Sequence, residues 1–268
     1  MRKNIAFFKI RFNEAIQYKS AAVAGVITQF VWGCMYIMLY SAFMQNGNST
    51  GMSIHQMSTY MWLQQAFIMM MSLWRIDEDI FEDIKSGNIS MQLVKPINIY
   101  DMWYARIFGK KLAMTILRMI PIFIIASLPF FGEYSLMIQT NPVILLASII
   151  SLMLSVALIM SYIMLMTITA LILISDDGIK ILFRLTLEFF SGAVIPIDFM
   201  PAQLVQFIKF TPFYYMQNMS YNIYSGYYND NHTIIISFGM QILWIVILTV
   251  LGKNVMKSRL KKIVVQGG

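Results

Sequence analysis

The chain has 268 residues, of which 58% are hydrophobic and 12% are charged, and its formal net charge is +7. Soluble domains carry about 25% charged residues, so this composition excludes an ordinary soluble domain and indicates a surface that largely faces lipid. Several stretches hold the roughly 20 apolar residues that cross a bilayer as a helix. We therefore predict one all-α, polytopic membrane domain over residues 1–268, with six transmembrane helices.

The first element is a predicted amphipathic helix within residues 1–20. Its apolar side chains recur at helical spacing, and basic residues surround this stripe. This pattern is typical of a helix that lies in the inner membrane interface, and the open alternative is a cytoplasmic extension of the first span. The stripe consists of Ile5, Phe8, Phe12 and Ile16, and the basic residues are Lys3, Lys9, Arg11 and Lys19.

The predicted spans cover about residues 21–44, 57–74, 112–131, 143–174, 181–197 and 233–251. Charged residues within spans are costly and usually face protein or water. Arg118 lies in the third span, close enough to its start for the side chain to reach the cytoplasmic interface. Arg184 and Glu188 interrupt the fifth span, and their spacing allows an ion pair on one helix face. This pair has two open interpretations: a structural pair, or a role in the pathway or at a dimer interface.

Basic residues set the predicted orientation. They cluster before the first span, in the loop 75–111 and after the last span, whereas the opposite side has only Lys209. The positive-inside rule then places both termini and the loop 75–111 in the cytoplasm, with residues 45–51 and 198–232 outside. The Ile-, Met- and Asn-rich composition is typical of AT-rich bacterial genomes, so we expect a bacterial cytoplasmic membrane.

The cytoplasmic loop contains an acidic segment. Five carboxylates fall within seven residues, namely Asp77, Glu78, Asp79, Glu82 and Asp83. The apolar residues Ile76, Ile80, Phe81 and Ile84 recur at helical spacing, which predicts a helix within residues 76–86. Anionic inner-leaflet lipid would repel such a helix, so it fits a groove on another protein better. A solvated loop helix with no partner is the alternative.

The predicted outer loop, residues 192–232, is rich in aromatic residues. We expect Gly192 and Pro196 to end the fifth span, Asp198 to cap a short helix that begins near Pro201, and a second helix to begin at 211–212. Aromatic side chains favour the membrane interface, which predicts re-entrant helices that act as an outer gate or as a structural belt. The gate candidates are Phe199, Phe207, Phe210, Phe213, Tyr214 and Tyr215.

Sequence patterns of catalysis are absent. No G-x-x-x-x-G-K-[ST], G-x-S-x-G or H-E-x-x-H motif occurs, and His55 and His232 lack zinc-ligand spacing. We interpret Asp176-Asp177-Gly178 as a turn rather than a site. The prediction is therefore no catalytic residue, no cofactor and no metal in this chain, and no nucleic-acid partner.

Two segments carry a family resemblance: EDIKSGNISMQLVKPINIYDMWYARIFGKKL after the second span and SGAVIPIDFMPAQLVQFIKFTPFYYM after the fifth. With the order of the spans, they make the chain resemble the permease subunits of ABC type-2 exporters. The resemblance implies a six-span domain that pairs with a second, identical or related permease within membrane lipid. It also implies separate ABC ATPase subunits that bind ATP and Mg.

The resemblance further assigns roles along the chain. Residues 76–86 would be the coupling helix, residues 3–19 the interface helix and residues 201–225 the re-entrant outer helices. In the coupling helix we expect Ile80, Phe81 and Ile84 to sit in an ATPase groove, with Glu82 and Asp83 at its rim.

The expected function is ATP-driven export of an amphipathic or lipid-like substrate, a peptide or an antibiotic. A secondary transporter or channel that needs no ATPase is the first alternative, and it should show inverted repeats or several polar residues at mid-membrane. A membrane-embedded enzyme is the second, and it should show a nucleophile or a metal constellation.

The topology prediction can be tested by cysteine labelling in a Cys34→Ser background. Asn88→Cys should resist an impermeant maleimide in intact cells and react after permeabilisation, because it lies in the cytoplasmic loop. Asp230→Cys, on the predicted outer side, is the control and should react in intact cells. Labelling of position 88 from outside would overturn the orientation.

Overall fold

The computed structural model describes residues 2–45, 51–73, 76–93, 96–173 and 177–260. Within them the fold is entirely helical, which confirms the all-α class. The predicted external segment 46–50, Lys95, Asp176 and the tail 261–268 lie outside the described residues. The helices are α1 (Arg2–Ile16), α2 (Lys19–Gln45), α3 (Ile54–Met71), α4 (Glu78–Lys85), α5 (Ile89–Leu93), α6 (Ile99–Ala126), α7 (Pro142–Leu173), α8 (Asp177–Phe190), α9 (Ala202–Lys209), α10 (Asn218–Tyr224) and α11 (Asn231–Leu260).

Three of the described helices, α2, α7 and α11, are long and apolar enough to cross a membrane. They coincide with the first, fourth and sixth predicted spans, and they make the chain a multi-pass membrane protein. The second, third and fifth predicted spans coincide with α3, α6 and α8, which are more polar or shorter. These three crossings stay predictions.

Helix α3 lies in the centre of the bundle, against α2, α6 and α10. It begins with a capping box, in which Gln56 N donates to Ser53 Oγ over 3.1 Å and Ser53 N donates to Gln56 Oε1 over 2.9 Å. Most of its side chains are buried, including the polar Gln64 and Gln65. A helix enclosed by protein does not need apolar side chains all round, which explains why α3 is more polar than a lipid-facing span.

Helix α6 holds the end of α3 and packs along α1. The Lys111 ammonium group is buried and donates to the carbonyl oxygens of Met69 and Ser72, over 2.9 and 2.5 Å, where α3 ends. A cation at that position complements the negative end of a helix dipole. Helix α1 packs along α6, and a Cβ on Gly109 would lie 2.6 Å from the Phe8 carbonyl oxygen. Only glycine permits this close approach.

The predicted N-terminal helix is confirmed as α1, and a turn at residues 17–18 separates it from α2. The alternative of a continuous extension of the first span is therefore wrong. Whether α1 lies in the membrane interface stays a prediction, but its contact with α6 is a protein contact.

The fifth predicted span differs most from the structure. Helix α8 has 14 residues, or about 21 Å, whereas the hydrocarbon core of a bilayer is about 30 Å thick. The predicted bounds 181–197 are wrong at both ends, since the helix begins at Asp177 and ends at Phe190. The expected break is confirmed: Gly192 has a φ of 82°, a conformation that favours glycine.

After this break, both predicted short helices are present. Helix α9 begins after Pro201, and Thr211 precedes a 3-10 turn, Pro212–Tyr215, that leads into α10. Their depth in the outer leaflet stays a prediction.

The expectation that Asp198 caps α9 is wrong, because that helix has no side-chain cap. The Asp198 carboxylate instead accepts hydrogen bonds from Asn222 Nδ2 at 3.1 Å and the Tyr228 hydroxyl at 3.0 Å. It therefore ties the chain that leaves α8 to α10 and to the residues that follow α10.

Helices α7 and α11 are joined by a buried polar contact. Gln241 of α11 is fully buried, and its Nε2 donates to Ser155 Oγ on α7 and to the Tyr215 carbonyl oxygen, each over 3.0 Å. Buried polar groups are costly unless they are paired, so this amide fixes the register of the two longest helices.

Gln241→Leu should lower the free energy of unfolding by about 1–3 kcal/mol, because it leaves buried acceptors without their donor. Gln203→Leu, on the exposed face of α9, is the control and should change stability by less than about 0.5 kcal/mol. Thermal and denaturant unfolding of the detergent-purified protein measures both. Equal effects of the two substitutions would refute the role of Gln241.

Candidate functional site

The acidic segment forms the predicted cytoplasmic-loop helix, as α4. Its apolar side is buried inside this chain, since Ile80 is 0% and Phe81 1% exposed, and Ile76 and Ile84 are buried with them. These side chains belong to the main core cluster, which includes residues of α6 and α7. The expectation that this face sits in a partner's groove is therefore wrong, because an apolar face already packed in its own bundle is not available to a partner. Any partner must contact the opposite side of α4.

The start of α4 is held by arginines from two other helices. Asp77 is 1% exposed; its carboxylate accepts from Arg106 Nε of α6 over 2.8 Å and lies 3.1 Å from Arg11 Nε of α1. Asp79 pairs with the same two arginines. The hydrogen bond from Arg11 holds the pKa of Asp79 below its usual value. This link therefore stabilises the fold at neutral pH and weakens as pH falls through the lowered pKa.

The far side of α4 is tied to α8. Lys180 Nζ lies 2.6 Å from Glu78 Oε2 and 3.9 Å from the centre of the Phe81 ring. Lys85 approaches Asp177 at 4.0 Å. Helix α4 thus connects α1 and α6 on one side with α8 on the other.

The remaining surface of α4 is acidic and points away from the bundle. Glu82 is exposed at its centre, and Glu78 and Asp79 flank it with side chains more than half exposed. Asp83 is half-buried and accepts a hydrogen bond from Gln92 Nε2 over 2.6 Å. Of the two predicted rim residues, Glu82 is therefore the one fully presented to a partner.

A second candidate site is a groove of about 620 Å³ along α2, between α3 and α8. The α2 residues that line it recur three or four positions apart, so they form one face of the helix. This lining stripe consists of Ala21, Ala24, Gly25, Thr28, Gln29, Trp32 and Tyr36. The opposite face of α2 is apolar and exposed, as expected of a lipid-facing surface.

Amide side chains make this groove polar. Gln64 Nε2 donates to the Ala193 carbonyl oxygen over 2.5 Å, and Gln217 Nε2 donates to Ser191 Oγ over 2.8 Å. They hold the turn that follows α8 against the bundle. Gln29 differs: it is 5% exposed, and neither amide atom has a partner among the described residues. None of these residues is among the predicted site residues, although polar side chains within apolar spans are a functional signal.

The charged residues of the spans meet at this groove. Arg184 and Glu188 form the predicted pair, with Arg184 Nε 3.8 Å from Glu188 Oε1, and Glu188 lines the groove. Arg118 lines it as well, with Nη2 3.5 Å from the Ala21 carbonyl oxygen. Whether Arg118 reaches the cytoplasmic interface stays a prediction. Its side chain is buried against the start of α2 and lines a second cavity together with Arg11 and Lys110.

The six predicted gate residues do not form one cluster. Phe207 and Phe210 are exposed, and Phe210 is 80% accessible. Tyr214 and Tyr215 are buried in the core. The two phenylalanines can therefore contact lipid, whereas the two tyrosines pack inside the bundle.

The other two gate candidates pack on different helices. The Phe213 ring lies 5.8 Å from that of Phe190 at the end of α8, and the Phe199 ring lies 4.9 Å from that of Tyr40 near the end of α2. Tyr40 also donates to the Val194 carbonyl oxygen over 2.8 Å. Phe199 is therefore the candidate nearest the end of the groove.

The three apolar helices that can cross a membrane define a multi-pass helical membrane protein, and the groove along α2 is its candidate site. A family model described as ABC-2 family transporter protein matches residues 30–267. The chain therefore belongs to the ABC-2 transporter family, as a permease, which confirms the resemblance. No curated protein sequence matches the chain.

Phe81→Ala should lower the free energy of unfolding by about 3–5 kcal/mol, because it empties a filled position in the chain's own core. The control is Glu82→Ala, one position along, which should change stability by less than about 0.5 kcal/mol because the side chain is exposed. Denaturant unfolding of the purified permease without a partner compares them. A Phe81→Ala protein as stable as Glu82→Ala would mean that this face is not a core surface.

Proposed function

We propose that this chain is the permease subunit of an ATP-driven ABC exporter in a bacterial cytoplasmic membrane. Permeases of the ABC-2 family generally work with ABC ATPase subunits. The sequence contains no P-loop motif, which supports assigning ATP and Mg to a separate partner. A second permease, identical or related, completes the translocation pathway within the lipid.

The observation that carries this proposal is the placement of α4. Its acidic face is exposed, while its other sides are bonded to three helices of the bundle. A displacement imposed on the exposed face should therefore move α1 and α6, because the buried Asp77 pairs resist separation. The largely exposed Glu78–Lys180 pair ties α8 more weakly. The contact between α4 and an ATPase is electrostatic in this proposal, with carboxylates facing a basic groove.

The route from α4 to the groove runs through α8. Glu78 pairs with Lys180 of α8, and Glu188 lines the groove two turns further along the same helix. Eight residues of helix span about 12 Å. A short helix held at its base and lining the groove near its end is suited to carry motion from the cytoplasmic side into the pathway.

The groove supports an amphipathic substrate. Its lining combines aromatic and aliphatic side chains with amides, which is the pattern of sites that bind molecules with both apolar and hydrogen-bonding parts. Lipid-like molecules, peptides and antibiotics share this character.

Glu82→Lys should reduce assembly with the ATPase severalfold, and more strongly at low salt, where charge repulsion is less screened. Affinity purification of the tagged permease, with quantitative mass spectrometry of co-purified P-loop ATPase and assay of ATP hydrolysis, measures the effect. Glu133→Lys makes the same charge change at an exposed site far along the chain from α4 and should assemble normally. If Glu82→Lys retained the ATPase at every salt concentration, docking on the acidic face would be refuted.

A further inference from the structure

Arg118 lies where two cavities meet. It lines the groove along α2, and it also lines a second cavity of about 390 Å³ between α1, α2 and α6. Among the described residues that line the groove, it is the single basic side chain. The second cavity is also lined by the basic Arg11 and Lys110 and by the acidic Glu14 and Glu78, next to the cytoplasmic helix α4. A molecule that enters from the cytoplasmic side would meet Arg118 before the rest of the groove.

Gly25 brings the Arg118 guanidinium against the α2 backbone. A Cβ on residue 25 would collide with the guanidinium carbon and nitrogens, so the guanidinium occupies the space that a side chain at residue 25 would fill. The planar guanidinium is thus placed beside the lining stripe of α2. It is the side chain best suited to bind a carboxylate or a phosphate through two parallel hydrogen bonds.

Gln29 follows Gly25 by about one helical turn, or about 6 Å. Its amide is buried, lines the groove and has no partner among the described residues. A buried amide without a partner is costly, and such a group needs an explanation. A bound molecule with a hydrogen-bonding group beside Gln29 would supply that partner.

The other charge in the groove lies at the opposite end. Glu188 is two turns past Lys180, which pairs with Glu78 of α4, and it lines the groove together with Tyr36. Tyr36 is eleven residues from Gly25, or about 16 Å along α2. Arg184 pairs with Glu188 there. The aromatic ring of Trp32 lies between the two ends of the stripe. The groove therefore has a cationic end, an amide, an aromatic wall and a neutralised carboxylate, in that order.

We propose that the groove binds an acidic amphiphile, a molecule with a carboxylate or phosphate head and an apolar body. The charged head of the ligand binds Arg118, and a polar group of the ligand next to the head hydrogen-bonds Gln29. The apolar body of the ligand packs against Trp32 and extends toward the outer end of the groove. The inference rests on the proposed export function for its assumption that the bound molecule is transported. Binding itself is a property of the permease alone.

The test uses the purified permease in phosphatidylcholine nanodiscs, without any ATPase. The probe is 9,10-dibromostearic acid, whose bromines quench tryptophan fluorescence on contact, and the matched neutral probe is the corresponding dibrominated alcohol. The acid should quench in a saturable way at about tenfold lower concentration than the alcohol, since a charge-assisted bidentate contact is lost with the alcohol. Trp32→Phe should remove the saturable component and identify its origin.

Gly25→Ala is the decisive variant, because it keeps every charge and suits a helix, yet displaces the guanidinium. It should weaken acid binding by about tenfold and leave the alcohol unchanged, as should Arg118→Gln. Arg118→Lys should partly preserve the preference for the acid, because lysine keeps the positive charge but cannot make the two parallel hydrogen bonds of a guanidinium. Lys257→Gln removes a cation from the exposed end of α11 and should change neither probe.

Equal binding of acid and alcohol by the wild type, or an unchanged preference in Gly25→Ala, would overturn the proposal. Saturable quenching that survives Trp32→Phe would also overturn it, because the bound probe would then lie elsewhere. These outcomes are independent of the Glu82→Lys result, since they do not involve an ATPase. The binding site and the export function can therefore fail separately.

Discussion

The rest of the structure depends on a carboxylate buried between two arginines. Asp77 is almost fully enclosed and pairs with Arg11 of α1 and Arg106 of α6. A buried charge is tolerated only when it is paired, and removing one partner of such a pair is strongly destabilising. Three segments far apart in sequence are therefore held at one point, and that point is also where the acidic helix α4 begins.

This constraint gives α4 its orientation. With Asp77 held inside, the apolar residues that follow it turn toward the bundle, and the carboxylates that remain turn outward. The same helix then reaches α8 through Lys180. In the proposed function, the exposed carboxylates receive a partner and the buried contacts convey its motion. Recognition and transmission thus use different faces of one eight-residue helix.

Burial of polar groups also determines which side chains line the groove. Polar side chains are placed where protein surrounds them, and apolar side chains of the same helix face outward. Helix α2 shows both surfaces, and α3 is almost wholly enclosed. Gln64 and Gln217 are used to hold the turn after α8, so their amides are structural. Gln29 has no such use among the described residues, which is why it, rather than Gln64 or Gln217, points to a ligand.

Much of the fold follows from the sequence by itself. Helical class, three apolar spans, the acidic helix, the break at Gly192 and the two short helices after it all depend on local patterns: apolar run length, spacing and glycine or proline signals. The family resemblance is carried by two sequence segments together with the order of the spans, and the family model confirms it. Such properties are local because each depends on residues within a few turns of one another.

The tertiary structure decided which way these elements face. The sequence predicts an apolar stripe on α4 but not whether a partner or the chain's own core covers it. Burial against either surface favours the same spacing of apolar residues. The sequence likewise shows Arg118 as a charge in a span but not that Gly25, 93 positions earlier, makes room for its guanidinium. Contacts of this kind join residues that are distant along the chain, and no local periodicity encodes which distant residue will be the neighbour.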